Sequence, residues 1–152
     1  MSAWRREAIR LLPELKKEAI AADEAGMFFI DLRCAFEQAH RATPQDDDFI
    51  QRCYDYARWC VEQGDTANHR DASGRLMASS NDLMTMIAVH FWEHLFDQRT
   101  IREALPRFVT RDELWGWRDF LIYRNGREGF EKYLQEFVDA PKILRKPRKH
   151  KN

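Results

Sequence analysis

Apolar residues recur at steps of three and four along most of this chain. In the first segment they fall at Trp4, Ala8, Leu11, Leu15 and Ala19. Because an α-helix has about 3.6 residues per turn, this spacing places the apolar side chains on one face, as in an amphipathic helix. No segment alternates apolar and polar residues with the period of two that is typical of a half-buried strand. The sequence therefore predicts an all-α protein.

The pattern predicts about six helices and one short additional segment. The predicted helices cover residues 3–24, 27–42, 47–63, 80–98 and 111–124, with a last one that follows Gly126 and ends at about residue 139; the short segment begins at Thr100 and ends near Pro106. Pro13 either kinks the first helix or begins a second one, because proline lacks a backbone N–H. The helix at 80–98 is apolar around most of its circumference, so we expect it to be central. The pattern does not decide between a closed bundle and a short stack of helix pairs.

Length and composition indicate one domain without metals or disulfides. The chain has 152 residues, of which 44% are hydrophobic, and this is enough to bury a core. We expect residues 1–141 to form a single helical domain. The N-terminus has charges threaded through it, unlike a secretory signal, and the apolar runs are far shorter than the roughly 20 residues that span a bilayer. A cytoplasmic protein that does not contact membranes is predicted.

Charge is distributed unevenly along the chain. Residues 142–151 contain six of the 25 Lys and Arg of the chain and no acidic residue. Residues 1–141 therefore contain 19 basic and 25 acidic residues, a net charge of −6. An acidic body suits the steering of basic partners. We expect residues 142–152 to be a basic, flexible tail. The tail could bind nucleic acid or another anion through phosphate contacts, but it lacks aromatic residues for base stacking, so nucleic acid is not the expected partner.

One short motif points to metal chemistry. His90-Phe91-Trp92-Glu93-His94 matches H-x-x-E-H, the motif of the inverted zinc proteases. If one helix carries both histidines, His90 and His94 lie one turn apart and could bind zinc while Glu93 polarises a water molecule. A catalytic zinc needs a third protein ligand, and the sequence singles none out. We expect no cofactor, and a small zinc-dependent hydrolase is the alternative.

The cysteines and tryptophans raise two further possibilities. Cys34, Cys53 and Cys60 form an odd set without metal-type spacing, and their apolar neighbours predict buried, inert thiols rather than a nucleophile paired with a histidine. Trp115 and Trp117 flank Gly116 and point in different directions on a helix. An exposed tryptophan beside Arg118 is a candidate anchor for a protein partner, and boundary packing of a large ring is the alternative.

The connection at residues 64–79 is the longest one predicted. It lacks helical periodicity and is rich in Gly, Ser, Asp and Asn, which is typical of a loop. Loops of this length are either mobile or functional.

A capping box is predicted at the start of the helix at 111–124. Thr110 is followed three residues later by Glu113, which is the spacing of this motif.

Three short strings occur in an order that resembles a known group. They are L-P-E-L at Leu12 to Leu15, F-W-E-H-L at Phe91 to Leu95 and T-R-D-E-L at Thr110 to Leu114, followed by an aromatic-rich end. Over residues 5–137 the chain resembles small uncharacterised all-helical bacterial proteins, some of which are similar to immunity or accessory proteins of toxin systems. The resemblance implies a helical fold and a bacterial cytosol, and it transfers no residue roles. We expect a non-enzymatic protein that binds another protein.

Overall fold

The computed structural model describes residues 1–66 and 82–139. These residues form nine α-helices and two short 3₁₀ segments, and none of them lies in a strand. The helices are α1 (Ala3–Leu11), α2 (Lys16–Ala21), α3 (Ala25–Arg41), α4 (Asp47–Thr66), α5 (Leu83–His90), α6 (Arg99–Phe108), α7 (Arg111–Gly116), α8 (Arg118–Asn125) and α9 (Arg127–Glu136). The 3₁₀ segments are Pro13–Leu15 and Trp92–His94. The all-α prediction is confirmed for this part of the chain.

The predicted number of about six helices was too low. Two predicted helices, 3–24 and 111–124, are each divided into two α-helices, the predicted short segment forms α6, and the predicted helix at 80–98 ends early and is followed by a 3₁₀ segment. Pro13 follows α1 and begins the first 3₁₀ segment, since its ring leaves no N–H to continue the helix. Phe91 ends α5 with φ −125° and ψ −67°. Trp117 is a turn residue between α7 and α8. Each break is a local change of backbone conformation within a segment whose apolar periodicity continues.

The ends of other elements also differ from the prediction. Helix α4 runs to Thr66, so it includes the first three residues of the predicted loop at 64–79. The remainder of that loop and the predicted basic tail at 142–152 lie outside the described residues. The capping box is confirmed in its first half, because the Thr110 hydroxyl accepts a hydrogen bond from the Glu113 N–H at 3.0 Å.

Two compact units divide the chain, Met1–His94 and Leu95–Asn152. The single domain predicted for residues 1–141 stays a prediction. In the first unit, α4 packs against α1, α3 and α5. In the second unit, α8 packs against both α7 and α9.

Helix α4 is the central helix of the first unit. It carries two fully buried tyrosines, Tyr54 and Tyr56, which contact different groups of aromatic rings. Tyr54 contacts Phe36, Phe91 and Trp92, whereas Tyr56 contacts Phe28, Phe29 and Trp59. Helix α5, which the apolar pattern predicts to be central, packs on both α3 and α4 but leaves Val89 45% exposed. An apolar circumference therefore does not mean that this helix is enclosed.

The second unit has its own aromatic cluster. The ring of Phe96 lies 6.3 Å from that of Phe130 and 4.5 Å from that of Tyr133, measured between centroids. Tyr133 also contacts Phe137. Gly126 ends α8 in the left-handed region, with φ 79°, a conformation that glycine adopts without steric cost.

Candidate functional site

The H-x-x-E-H motif does not lie on one α-helix. Helix α5 ends at His90, and residues 92–94 form a 3₁₀ turn in which the His94 N–H donates to the Phe91 carbonyl oxygen at 3.1 Å. The prediction of one continuous helix through His94 was wrong. His90 and His94 therefore do not stand one α-helical turn apart, which is the arrangement on which the zinc alternative was based.

The described surroundings of the two histidines offer no complete ligand set. Across residues 1–66 and 82–139, no group of three or more His, Cys, Asp or Glu residues is placed to hold a metal ion. Burial lowers the pKa of His90 from its ordinary value, and the positive charge of Arg33 and that of His94 lower it further. The lowered pKa favours the neutral imidazole, which could bind a metal, but a third ligand is missing from the described residues.

Two of the three cysteines are buried and unreactive in character. Cys53 and Cys60 lie on α4 with no exposed surface, and burial raises the pKa of both thiols. A protonated thiol is a poor nucleophile. The prediction that Cys34 is buried as well was wrong, because Cys34 is exposed on α3. It lies two positions from both Leu32 and Phe36, so it faces away from the stripe that these two residues bury.

The predicted partner-binding residues lie where α7 meets α8. Trp115 is 51% exposed, whereas Trp117 is partly buried in the turn between the helices. The Arg118 guanidinium lies 4.7 Å from the centroid of the Trp115 ring, and its Nη1 donates to the Trp115 carbonyl oxygen at 2.9 Å. We call Trp115 and Arg118 the Trp115 surface. Trp115 is the exposed member of the pair that flanks Gly116.

The first unit contains a cleft that no local sequence pattern indicates. Its volume is about 390 Å³, and it opens between residues of α1, α3, α4 and α5. Among its lining residues are Trp4, Asp23, Glu24, Gly26, Trp59 and Met86. We call it the Trp59 cleft. The volume falls at the lower end of the range for ligand pockets, about 300–1,000 Å³.

The aromatic walls of the Trp59 cleft are held by the core. Trp59 stacks on the buried Tyr56 with an interplanar angle of 15°, and Trp4 stacks on the buried Phe28. The Tyr56 hydroxyl donates a hydrogen bond to the Trp4 carbonyl oxygen at 3.2 Å, which connects the two walls. Both indoles are therefore fixed by residues that do not themselves line the cleft.

Two carboxylates lie at the mouth of the cleft. Asp23 and Glu24 directly precede α3 and are exposed. Neither forms an ion pair with another described residue. The described residues that line the cleft include no basic side chain. The cleft thus combines aromatic walls with two carboxylates that have no ion-pair partner among the described residues.

Comparison with known proteins finds no matching family model, no matching curated protein and no matching solved structure. Of the helices that the structure describes, none has the length and apolar character needed to cross a membrane.

The cleft was missed because its walls come from distant parts of the sequence. Trp4 and Trp59 each fit an amphipathic helix, and nothing in the local spacing indicates that they meet. The adjacent carboxylates, Asp23 and Glu24, resemble the solvated acids that commonly precede a helix. A local signal for this site was therefore absent, and the packing of α1 on α4 creates it.

Proposed function

We propose that this protein works by binding another protein and not by catalysis, as an immunity-like or adaptor module. The observation that carries the proposal is the Trp115 surface, where a half-exposed indole is covered on one side by a guanidinium. Tryptophan and arginine are the residues most enriched at the energetic centres of protein interfaces. Because Arg118 is already held by a backbone carbonyl, less side-chain entropy is lost when a partner covers it.

The distribution of charge supports a basic partner. Residues 1–141 carry a net charge of −6, and long-range attraction of this kind raises association rates with positively charged proteins at low salt. The chain is proposed to act in the bacterial cytoplasm, in keeping with the resemblance to immunity-like proteins.

A quantitative pull-down with matched variants tests the proposal. Wild type, Trp115→Ala and Ile20→Ala are immobilised at equal density and exposed to lysate of the source organism. Ile20 on α2 is the control, because it is an apolar side chain with a similar exposed fraction, 54%. We expect wild type and Ile20→Ala to retain the same protein and Trp115→Ala to retain at least about tenfold less of it. No reproducible partner, or equal capture by Trp115→Ala, would contradict the proposal.

Metal analysis separates this proposal from a zinc-dependent hydrolase. Protein purified without a His-tag and without chelator is expected to contain less than stoichiometric zinc. Stoichiometric zinc that is lost on substituting both His90 and His94 would instead make Glu93 the leading catalytic candidate and would overturn the proposal of a non-enzymatic protein.

A further inference from the structure

We propose that the Trp59 cleft binds a cationic side chain, the guanidinium of an arginine or the ammonium of a lysine, presented by a partner protein. The inference concerns the first unit and does not depend on the Trp115 surface. The two proposals can therefore fail separately.

The dimensions of the cleft suit a single side chain. A volume of about 390 Å³ accommodates one long side chain with part of its backbone and leaves little room for a larger cofactor. Gly26 and Met86 both line the cleft, and the Met86 methyl group packs closely on Gly26. The aliphatic stem of an arginine or lysine would have apolar contacts there.

The walls suit a cation more than a neutral apolar group. Arginine and lysine are attracted to the faces of aromatic rings, and tryptophan gives the strongest such contact. Trp59 is stacked with Tyr56 and also lines the cleft. Trp4 is already stacked on Phe28 and has Arg5 4.6 Å from its ring centroid, so it supplies apolar contact rather than a free face.

The charges around the cleft have the sign that a cation requires. Asp23 and Glu24 contribute two carboxylates without ion-pair partners among the described residues. The positive end of the α3 dipole offsets about half a charge of the two. Among the described residues Arg5 is a nearby base; its guanidinium donates to the carbonyl oxygens of Ala19 and Ala22 and keeps its positive charge. The two carboxylates outweigh Arg5 and the helix dipole together, so the net charge at the mouth attracts a cation.

Methyl NMR of the protein can detect binding directly. With the methionine methyl groups labelled with ¹³C, the Met86 signal is assigned from a Met86→Leu variant, and Met84, which does not line the cleft, serves as an internal reference. The probes are the N-acetyl, N-methylamide derivatives of arginine and lysine. The corresponding derivatives of citrulline and norleucine are the neutral controls, because they keep the stem and remove the charge.

We expect a saturable shift of the Met86 signal with the arginine or lysine derivative, and affinities at least about tenfold weaker for the neutral controls. The shift is expected to weaken as salt is added, because the carboxylates at the mouth are exposed. No shift with either cationic probe, or equal affinity for citrulline or norleucine, would overturn the proposal.

Variants identify the groups responsible. The double variant Asp23→Asn/Glu24→Gln is expected to bind at least about tenfold more weakly than wild type. Asp31→Asn/Glu128→Gln removes the same charge from exposed positions that do not line the cleft, and its affinity is expected to match wild type. Trp59→Leu tests the aromatic wall while keeping an apolar side chain, with its fold checked by circular dichroism. Equal weakening by both double variants would show that only the net charge of the protein matters, and would contradict a specific binding site in the Trp59 cleft.

Discussion

The Tyr133 hydroxyl donates a hydrogen bond to the backbone carbonyl oxygen of Arg102 at 2.9 Å. This carbonyl would ordinarily accept from the residue four positions later, which is Pro106 and has no N–H. Tyr133 on α9 thus satisfies an acceptor that the proline leaves open inside α6. The sequence pattern predicts that this segment ends near Pro106, and the helix continues to Phe108 instead.

A double-mutant cycle tests this compensation. Tyr133→Phe is expected to lower the free energy of unfolding by about 1–2 kcal/mol, because it leaves the Arg102 carbonyl without its donor. In a Pro106→Ala background the alanine N–H can serve that carbonyl, so the cost of Tyr133→Phe is expected to fall by about half or more. Urea denaturation of the four proteins gives the coupling. An unchanged cost would show that Tyr133 does not act through this carbonyl.

Gly26 leaves room for Met86 in the first unit. Gly26→Val is expected to lower the free energy of unfolding by about 1 kcal/mol, because its Cβ needs the space of the Met86 methyl group, which is the end of a flexible side chain and can move aside in part. Gly129→Val is the matched control, since a Cβ there meets nothing within 4 Å, and valine has the better helix propensity. The cost at position 26 is expected to shrink in a Met86→Ala background. Equal effects of the two glycine substitutions would contradict the close packing.

Glu14 and Arg52 predict a dependence of stability on pH. Arg52 on α4 donates to both Glu14 oxygens, at 2.5 and 2.8 Å, and to the Leu11 carbonyl oxygen at 3.0 Å. The hydrogen bond with Arg52 lowers the pKa of Glu14. A lowered folded-state pKa stabilises the protein above the unfolded-state value, and the stabilisation is lost as the pH falls through the folded-state value.

Glu14→Gln is therefore expected to lower stability at about pH 7 and to have a smaller effect at about pH 3. The difference should stay below about 1 kcal/mol, because the Glu14 side chain is half exposed and is screened by solvent. Urea denaturation at both values measures it, with the exposed Glu128→Gln as the control. An equal effect of Glu14→Gln at the two pH values would argue against an ion-pair origin.

The three thiols are expected to differ in reactivity. In the native protein, Cys34 should react rapidly with a disulfide reagent such as Ellman's, whereas the buried Cys53 and Cys60 should react only as fast as the protein opens. Cys34→Ser should remove the rapid phase, and denaturant should expose all remaining thiols. A second rapid thiol in native Cys34→Ser would contradict the assignment of Cys53 and Cys60 as core residues.

Local sequence determined the type of secondary structure and several helix ends. Apolar spacing of three and four residues predicts helices because this period is a property of the α-helical backbone. The Thr110 hydroxyl accepts a hydrogen bond from a backbone N–H at the start of its helix. Pro13 has no backbone N–H with which to continue the helix before it. Such effects need no partner from elsewhere in the chain, so they can be predicted without the fold.

Tertiary structure decided where α5 ends. Phe91 and Trp92 are consecutive, both are buried, and both rings contact Tyr54. Consecutive residues of an α-helix point about 100° apart, whereas the change at Phe91 allows both rings to pack on one partner. The cost of interrupting the helix is offset by this aromatic packing, which the local sequence around His90 cannot reveal.

The Trp59 cleft and the exposure of Cys34 also depended on packing between helices. Periodicity identifies an apolar face but does not say which neighbour covers it. Cys34, which is predicted to be buried, is therefore exposed, and so is Val89 on the helix that is apolar around most of its circumference. Trp4 and Trp59 line the same cleft because α1 packs on α4. Helical structure thus followed from the repeating chemistry of the sequence, whereas the candidate binding site arose from contacts between segments that are distant along the chain.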